Sequence, residues 1–157
     1  MTDCIRSAKN ESEPTAKEIL VRNYAPSDYS ELFRLLNAVY HSGISQKDLE
    51  AHYLGPDKEI IVAVRGDRFL GCAFLHYITD YVRPGHTVFV TYVAVDESIR
   101  HNGIGRTLFS EIESRALKQG CSAIELTSAD SRTDAHAFYN ALHFTKKKTT
   151  VFIKEVV

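Results

Sequence analysis

An apolar run that passes through two glycines into an amphipathic helix is the feature that most limits how this chain can fold. Thr87 to Val95 is rich in β-branched and aromatic residues and apolar on both faces over much of its length, which predicts a strand covered on both sides at the centre of a sheet. The loop Arg100-His101-Asn102-Gly103-Ile104-Gly105-Arg106 follows, and Ile104, Leu108, Ile112 and Ala116 then recur at helical spacing. Arg115 and Lys118 suit that helix's last turn, and Gly120 stands just beyond it. Ala123 to Thr127 reads as the next strand, so the unit is strand-helix-strand, with parallel strands and a right-handed crossover. A ligand belongs at the carboxyl ends of such strands.

The rest of the chain builds around this unit. Ile19-Leu20-Val21 reads as a strand, and Pro26-Ser27-Asp28 turns into a helix with Tyr29, Leu32, Phe33, Leu36 and Tyr40 on one face and Gly43 at its end. Ser45 suits the N-cap of a short helix stopped by Gly55-Pro56. Glu59 to Arg65 and Arg68 to Asp80 predict a hairpin turning at Gly66-Asp67. Asp134 to His143 predicts a helix with Ala135, Phe138 and Leu142 on its core side, and Phe144 to Val157 predicts paired strands around Thr149-Thr150. The order is β-α-α-β-β-β-α-β-α-β-β, without internal repeats.

Residues 1–17 carry too few apolar groups to repay ordering and are read as a flexible leader, with 18–157 as a single domain. Lys+Arg 19 against Asp+Glu 20 gives no global field for nucleic acid, and no segment is apolar enough to span a bilayer. Cys4, Cys72 and Cys121 show no metal-type pairing and no closed disulfide framework, which fits a reducing cytoplasm. His136 and His143 lie two turns apart on their helix, so no metal site is expected.

The glycine loop carries the chemistry. Glycines let backbone approach a ligand with no Cβ between, and the first free N–H groups of a helix point towards negative charge. Arg100 and Arg106 can add charge-assisted hydrogen bonds to phosphate oxygens. An ordinary helix-starting turn would show the same Gly-x-Gly, and neither a Walker loop nor the three-glycine dinucleotide fingerprint is present.

The wider wording is more specific. Val93-Ala94-Val95-Asp96-x-x-x-Arg100-x-x-Gly103-x-Gly105-x-x-Leu108 resembles the acetyl-coenzyme A signature of the Gcn5-related N-acetyltransferases (GNAT), and Ala135-His136-Ala137-Phe138-Tyr139-Asn140-Ala141-Leu142-His143-Phe144 is similar to their closing motif. The resemblance covers nearly everything from Ile19 to Val157. It implies a mixed α/β fold with a mixed sheet of about six to seven strands and four helices. It further implies acetyl-coenzyme A as co-substrate, with the pyrophosphate on Arg100, His101, Asn102, Gly103, Ile104, Gly105 and Arg106. The pantetheine arm would lie along Val93, Ala94 and Val95, and a backbone N–H at or beside Val93 would face the acetyl carbonyl. Tyr139 would protonate the leaving thiolate. Read without the family, Tyr139 is an amphipathic core residue.

Two positions depart from the family pattern: His143 stands in place of glycine before Phe144, and Arg132 in place of asparagine. Phe89 occupies the place where some protein-acetylating members carry a glutamate base. Tyr92, His76, Asp80 and Tyr81 are the candidates to relay a proton from the amine. The Arg132 to Tyr139 wording resembles small-amine members such as aminoalkylphosphonate and aminoglycoside acetyltransferases. A small-molecule primary amine is the expected acceptor, ahead of a protein or peptide; a non-catalytic acetyl-coenzyme A sensor is the reading from another class. The resemblance also admits a homodimer.

Overall fold

In a computed structural model, residues 18–79 and 85–156 are described. The expected leader, together with Cys4, Asp80, Tyr81 and the loop at Pro84, lies outside the described residues. The chain divides into two compact units, Met1–Leu126 and Thr127–Val157.

The first unit contains β1 (Leu20–Asn23), α1 (Tyr29–Tyr40), α2 (Gln46–Tyr53), β2 (Lys58–Arg65), β3 (Arg68–Thr79), β4 (His86–Val95), α3 (Ile104–Lys118) and β5 (Cys121–Leu126). One mixed sheet holds these strands in the order β1-β2-β3-β4-β5, antiparallel except for the parallel pair β4 and β5. That parallel pair joined by α3 is the crossover unit the sequence predicts. Five described strands stand against the expected six to seven.

Alternation along the strands sends their apolar residues to two faces. Ile60, Val62, Val64, Cys72, Phe74 and Ala94 pack with Leu32, Leu35 and Leu36 of α1 and Leu49 of α2 in one buried cluster. Ile61, Ala63, Ala73 and Leu75, equally buried, point to the opposite face. Ile104, Leu108, Phe109, Ile112 and Ala116 of α3 are all buried as the helix packs across β2 to β5. The predicted stripe is the buried face.

Local chemistry sets the ends. Ser45 caps α2 by accepting from the Asp48 N–H at 3.2 Å. The end of α1 comes sooner than Gly43: His41 takes a left-handed conformation, φ 54°, and its N–H returns to the Asn37 carbonyl. Behind α3, Arg115 spans Glu111 at 2.7 Å and Glu59 at 2.5 Å, with Asn23 as a further acceptor, tying the helix's last turn to β1 and β2.

Among the described strands β4 is an interior strand, between β3 and β5, and not the middle one. It is fourth of the five described, and its coverage changes halfway along, where Thr91 and Tyr92 are exposed. Its pairing with β5 ends at Val90 opposite Leu126, and a bulge at Thr91 interrupts its pairing with β3, where Leu75 faces Val90 but Phe74 faces Tyr92.

The second unit contains α4 (Thr133–Ala141) and an extended tail. Residues 144–156 form no strand, unlike the expected pair. Val151, Phe152, Ile153 and Val156 are largely exposed, so the segment lacks the burial that holds a two-stranded ribbon in water.

Candidate functional site

The site grows from the break in β4. After Val90 no described strand pairs with β4 on its β5 side. The Asp96 N–H donates to the Leu70 carbonyl at 3.0 Å, so by strand alternation Ala94 also turns its polar groups to β3, while Val93 and Val95 turn theirs to the open edge. Of Val93, Ala94 and Val95, along which the resemblance lays the pantetheine arm, the first and last thus face the open edge and Ala94 does not. The Tyr40 hydroxyl, from the end of α1, donates to the Val93 carbonyl at 2.9 Å. A carbonyl has two lone pairs, so a second donor can still be accepted there.

Asp96 anchors the passage from strand to loop. Its carboxylate accepts from Ser98 through both N–H and hydroxyl, at 3.0 and 2.7 Å, and from Arg34 of α1 at 3.0 Å. The Ser98 hydroxyl first, and then Arg34, hold its pKa down at about 2. Glu97–Ile99 forms a single 3-10 turn, after which His101 and Gly103 both adopt left-handed conformations, with φ 66° and 79°. The Asn102 amide braces the turn by donating to the Ile99 carbonyl at 3.1 Å.

Gly103 is the N-cap of α3. No side chain caps this end and the first turn holds no acidic residue, so its leading N–H groups are left for an external acceptor. A Cβ built at Gly103 would meet nothing within 4 Å. Among the described residues Arg100 has one ion pair, an exposed one with Glu97 at 3.0 Å, and Arg106 is exposed. Such a surface pair is worth at most ~1 kcal/mol, so the Arg100 guanidinium can be drawn to a stronger anion.

Tyr139 lies in the second unit, half-buried on α4, its ring between Phe138 and Phe144 at 5.6 and 5.9 Å. His143, at φ 64°, fills the left-handed place after the helix that glycine usually takes. The Phe144 N–H returns to the Tyr139 carbonyl and the His143 N–H to that of Asn140, both at 3.0 Å. The pattern is a Schellman cap, closed by the contact of Tyr139 with Phe144. The departure at His143 therefore keeps the turn. Arg132 is the exposed N-cap of α4 and makes no side-chain cap bond there.

Of the relay candidates, Tyr92 sits beside the β4 bulge, whereas the His76 ring is engaged with Asp57 at 3.1 Å. Sequence reasoning passed over Tyr40 and Tyr53, whose rings meet Tyr92 at centroid distances of 5.2 and 6.1 Å. Their helical spacing marks them only as apolar-face residues. A pocket of about 360 Å³ opens at the far end of the sheet among Asn23, Tyr24, Lys58, Glu59, Tyr77 and Gln119, away from the loop. Among the described residues, no three His, Cys, Asp or Glu side chains are gathered as metal ligands, and no helix is long and apolar enough to cross a membrane.

An open strand edge that leads to an uncapped helix N-terminus suits an extended ligand with phosphates at one end. The chain belongs to the acetyltransferase (GNAT) family, whose model matches residues 28–144, and is an acetyl-transferring enzyme. The family generally uses acetyl-coenzyme A as acetyl donor. Solved structures share the fold. An aminoglycoside acetyltransferase from an uncultured soil metagenomic sample is 17% identical, with 88% of this chain and 96% of that one covered at a TM-score of 0.77. A transcriptional regulator from Bacillus halodurans C-125 is 19% identical over 88% and 100% of the two chains at 0.79. A mutant of the BH1408 protein from Bacillus halodurans is 24% identical over 87% and 99% at 0.77. A search of curated proteins found no match.

Proposed function

We propose that this enzyme transfers the acetyl group of acetyl-coenzyme A to a primary amine on a small molecule. The observation that carries the reading is the open edge of β4 between the Thr91 bulge and the Arg100 to Arg106 loop. A pyrophosphate on the α3 N-terminus, with Arg100 and Arg106 beside it, would send the pantetheine arm back along Val95 and Val93 as an added strand. About 3.3 Å of strand per residue brings the thioester to the bulge. The Val93 N–H, on the same edge, is the donor for the oxygen that becomes negative when the amine attacks.

In the reaction a C–N bond forms and the C–S bond breaks. The amine must first lose a proton, since an alkylammonium has a reference pKa of about 10.4, and the departing thiolate gains one. Tyr139 is proposed as that donor, because a phenol of reference pKa about 10 can protonate a thiolate. The small-molecule acceptor is supported by the Arg132 to Tyr139 wording, by the balanced charge and by the fold shared with an aminoglycoside acetyltransferase.

The test is release of free thiol from acetyl-coenzyme A with amines, amino acids, aminoglycosides, aminophosphonates, polyamines and peptides. Turnover with one or more small amines is expected. Acetylation of peptides alone would transfer the assignment to a peptide N-acetyltransferase, and cofactor binding without turnover to a sensor.

A further inference from the structure

The bulge in β4 has a second effect beside the open edge. Val90 pairs with Leu75 and Tyr92 with Phe74, and these β3 neighbours point to opposite faces. Two residues apart on one strand, Val90 and Tyr92 therefore face opposite ways. Tyr92 emerges on the α1–α2 face at the point where β4 and β5 part, still 36% exposed. Tyr40 from the end of α1, Tyr53 from the end of α2 and Phe74 from β3 meet its ring edge-on at centroid distances of 5.2, 6.1 and 5.6 Å.

Tyr40 gives its proton to the Val93 carbonyl, and burial first, then the neighbouring Tyr92, raises the pKa of Tyr53. Towards a ligand the three tyrosines present ring surface and phenol oxygens that accept. Aromatic surface and phenol oxygens favour ammonium groups, alkyl chains and aromatic rings. A carboxylate or phosphonate would find no positive charge on these rings.

We infer that Tyr40, Tyr53 and Tyr92 form the acceptor-binding wall, with Tyr92 as its contact residue, and that the acceptor is an alkyl- or arylalkylamine with no anionic group beside the reacting nitrogen. The inference rests on the acetyl-transfer reading above, which brings the thioester to the Thr91 bulge. Tyr40 is in addition a positioning residue, since its hydroxyl links this wall to the strand edge at Val93.

The experiment compares wild type with Tyr92→Leu and Tyr92→Phe, using phenethylamine, putrescine, glycine and aminomethylphosphonate as acceptors and calorimetry for acetyl-coenzyme A. Expected are turnover of the first two acceptors in preference to the anionic pair and an acceptor KM raised about tenfold in Tyr92→Leu. Tyr92→Phe, which keeps the ring, should recover most of that loss, and acetyl-coenzyme A affinity should stay within about twofold of wild type. Preference for glycine or aminomethylphosphonate would overturn the inference, as would an unchanged acceptor KM in a folded Tyr92→Leu. Failure of the wild type to bind acetyl-coenzyme A would instead overturn the function on which it rests. Should Tyr92→Leu not fold, Tyr92→Phe and the acceptor ranking of the wild type decide the matter.

Discussion

Replacing Gly103 by alanine separates two effects that a glycine in a phosphate loop normally confounds. The residue sits at φ 79°, where a side chain costs about 1–2 kcal/mol whatever surrounds it. Gly120, at the other end of the same helix, sits at φ 68°, and an added Cβ at either position would meet nothing within 4 Å. The two alanine variants should therefore lose similar stability, and at roughly 2–4 °C per kcal/mol for a chain of this size each Tm should fall by roughly 2–8 °C. Backbone strain is present in both free and bound enzyme, so it cancels in the affinity. What does not cancel is the methyl group pointing into the space proposed for the phosphates. Calorimetry should show acetyl-coenzyme A binding weakened about tenfold in Gly103→Ala, equivalent to ~1.4 kcal/mol, and unchanged in Gly120→Ala. Gly103→Asp, which adds like charge, should bind more weakly still. Equal affinities in the two alanine variants would refute the assignment of the loop to pyrophosphate.

Three further outcomes are expected. Tyr139→Phe should lower kcat about a hundredfold while the cofactor KM changes little, as for a group acting in the transition state; wild-type turnover with chemistry limiting the rate would remove its role. His143→Gly should stabilise the protein by about 0.5–1 kcal/mol by relieving a left-handed histidine, offset in part by a freer unfolded chain; a denaturant midpoint that does not rise would contradict the strain. Asp96, lowered to about 2 in the folded protein against a reference near 3.9, binds its proton more readily when unfolded, so its contribution is present above about pH 4 and is lost as pH falls through about 2. Asp96→Asn should flatten the dependence of unfolding free energy on pH in that window, and identical slopes in the two proteins would argue against it.

Helix α3 was readable because its stripe, its basic last turn and Gly120 agree, each marking the same fifteen-residue element. The N-cap at Ser45 was readable for the same reason, a local bond with a local signature. The position of β4 was not. Apolar residues on both faces show that a strand is covered, but not which strands flank it or where cover stops. The bulge at Thr91 depends on the register of β3, which leaves no trace within β4 itself. The bond from Tyr40 to Val93 joins residues far apart in sequence, and helical spacing reads the tyrosine as ordinary apolar surface. His41, His101 and His143 supply the left-handed conformations that glycine would have announced. In residues 144–156, β-branched and aromatic composition suggested strands, yet a strand exists only with a partner to receive its hydrogen bonds.

The extra residue at Thr91 makes β4 a strand of two phases. Deletion of that one residue would leave composition and hydropathy almost untouched and would mend the ladder with β3, keeping Tyr92 opposite Phe74 and Ala94 opposite Cys72. Ala94, Val93 and Val95 would keep their faces, but the local bend and added twist at the point where β4 parts from β5 would go, and with them the opening of the edge beyond Val90. Insertions and deletions at this point in β4 should thus be tolerated far less than in the β2–β3 hairpin, where a changed length alters only a turn.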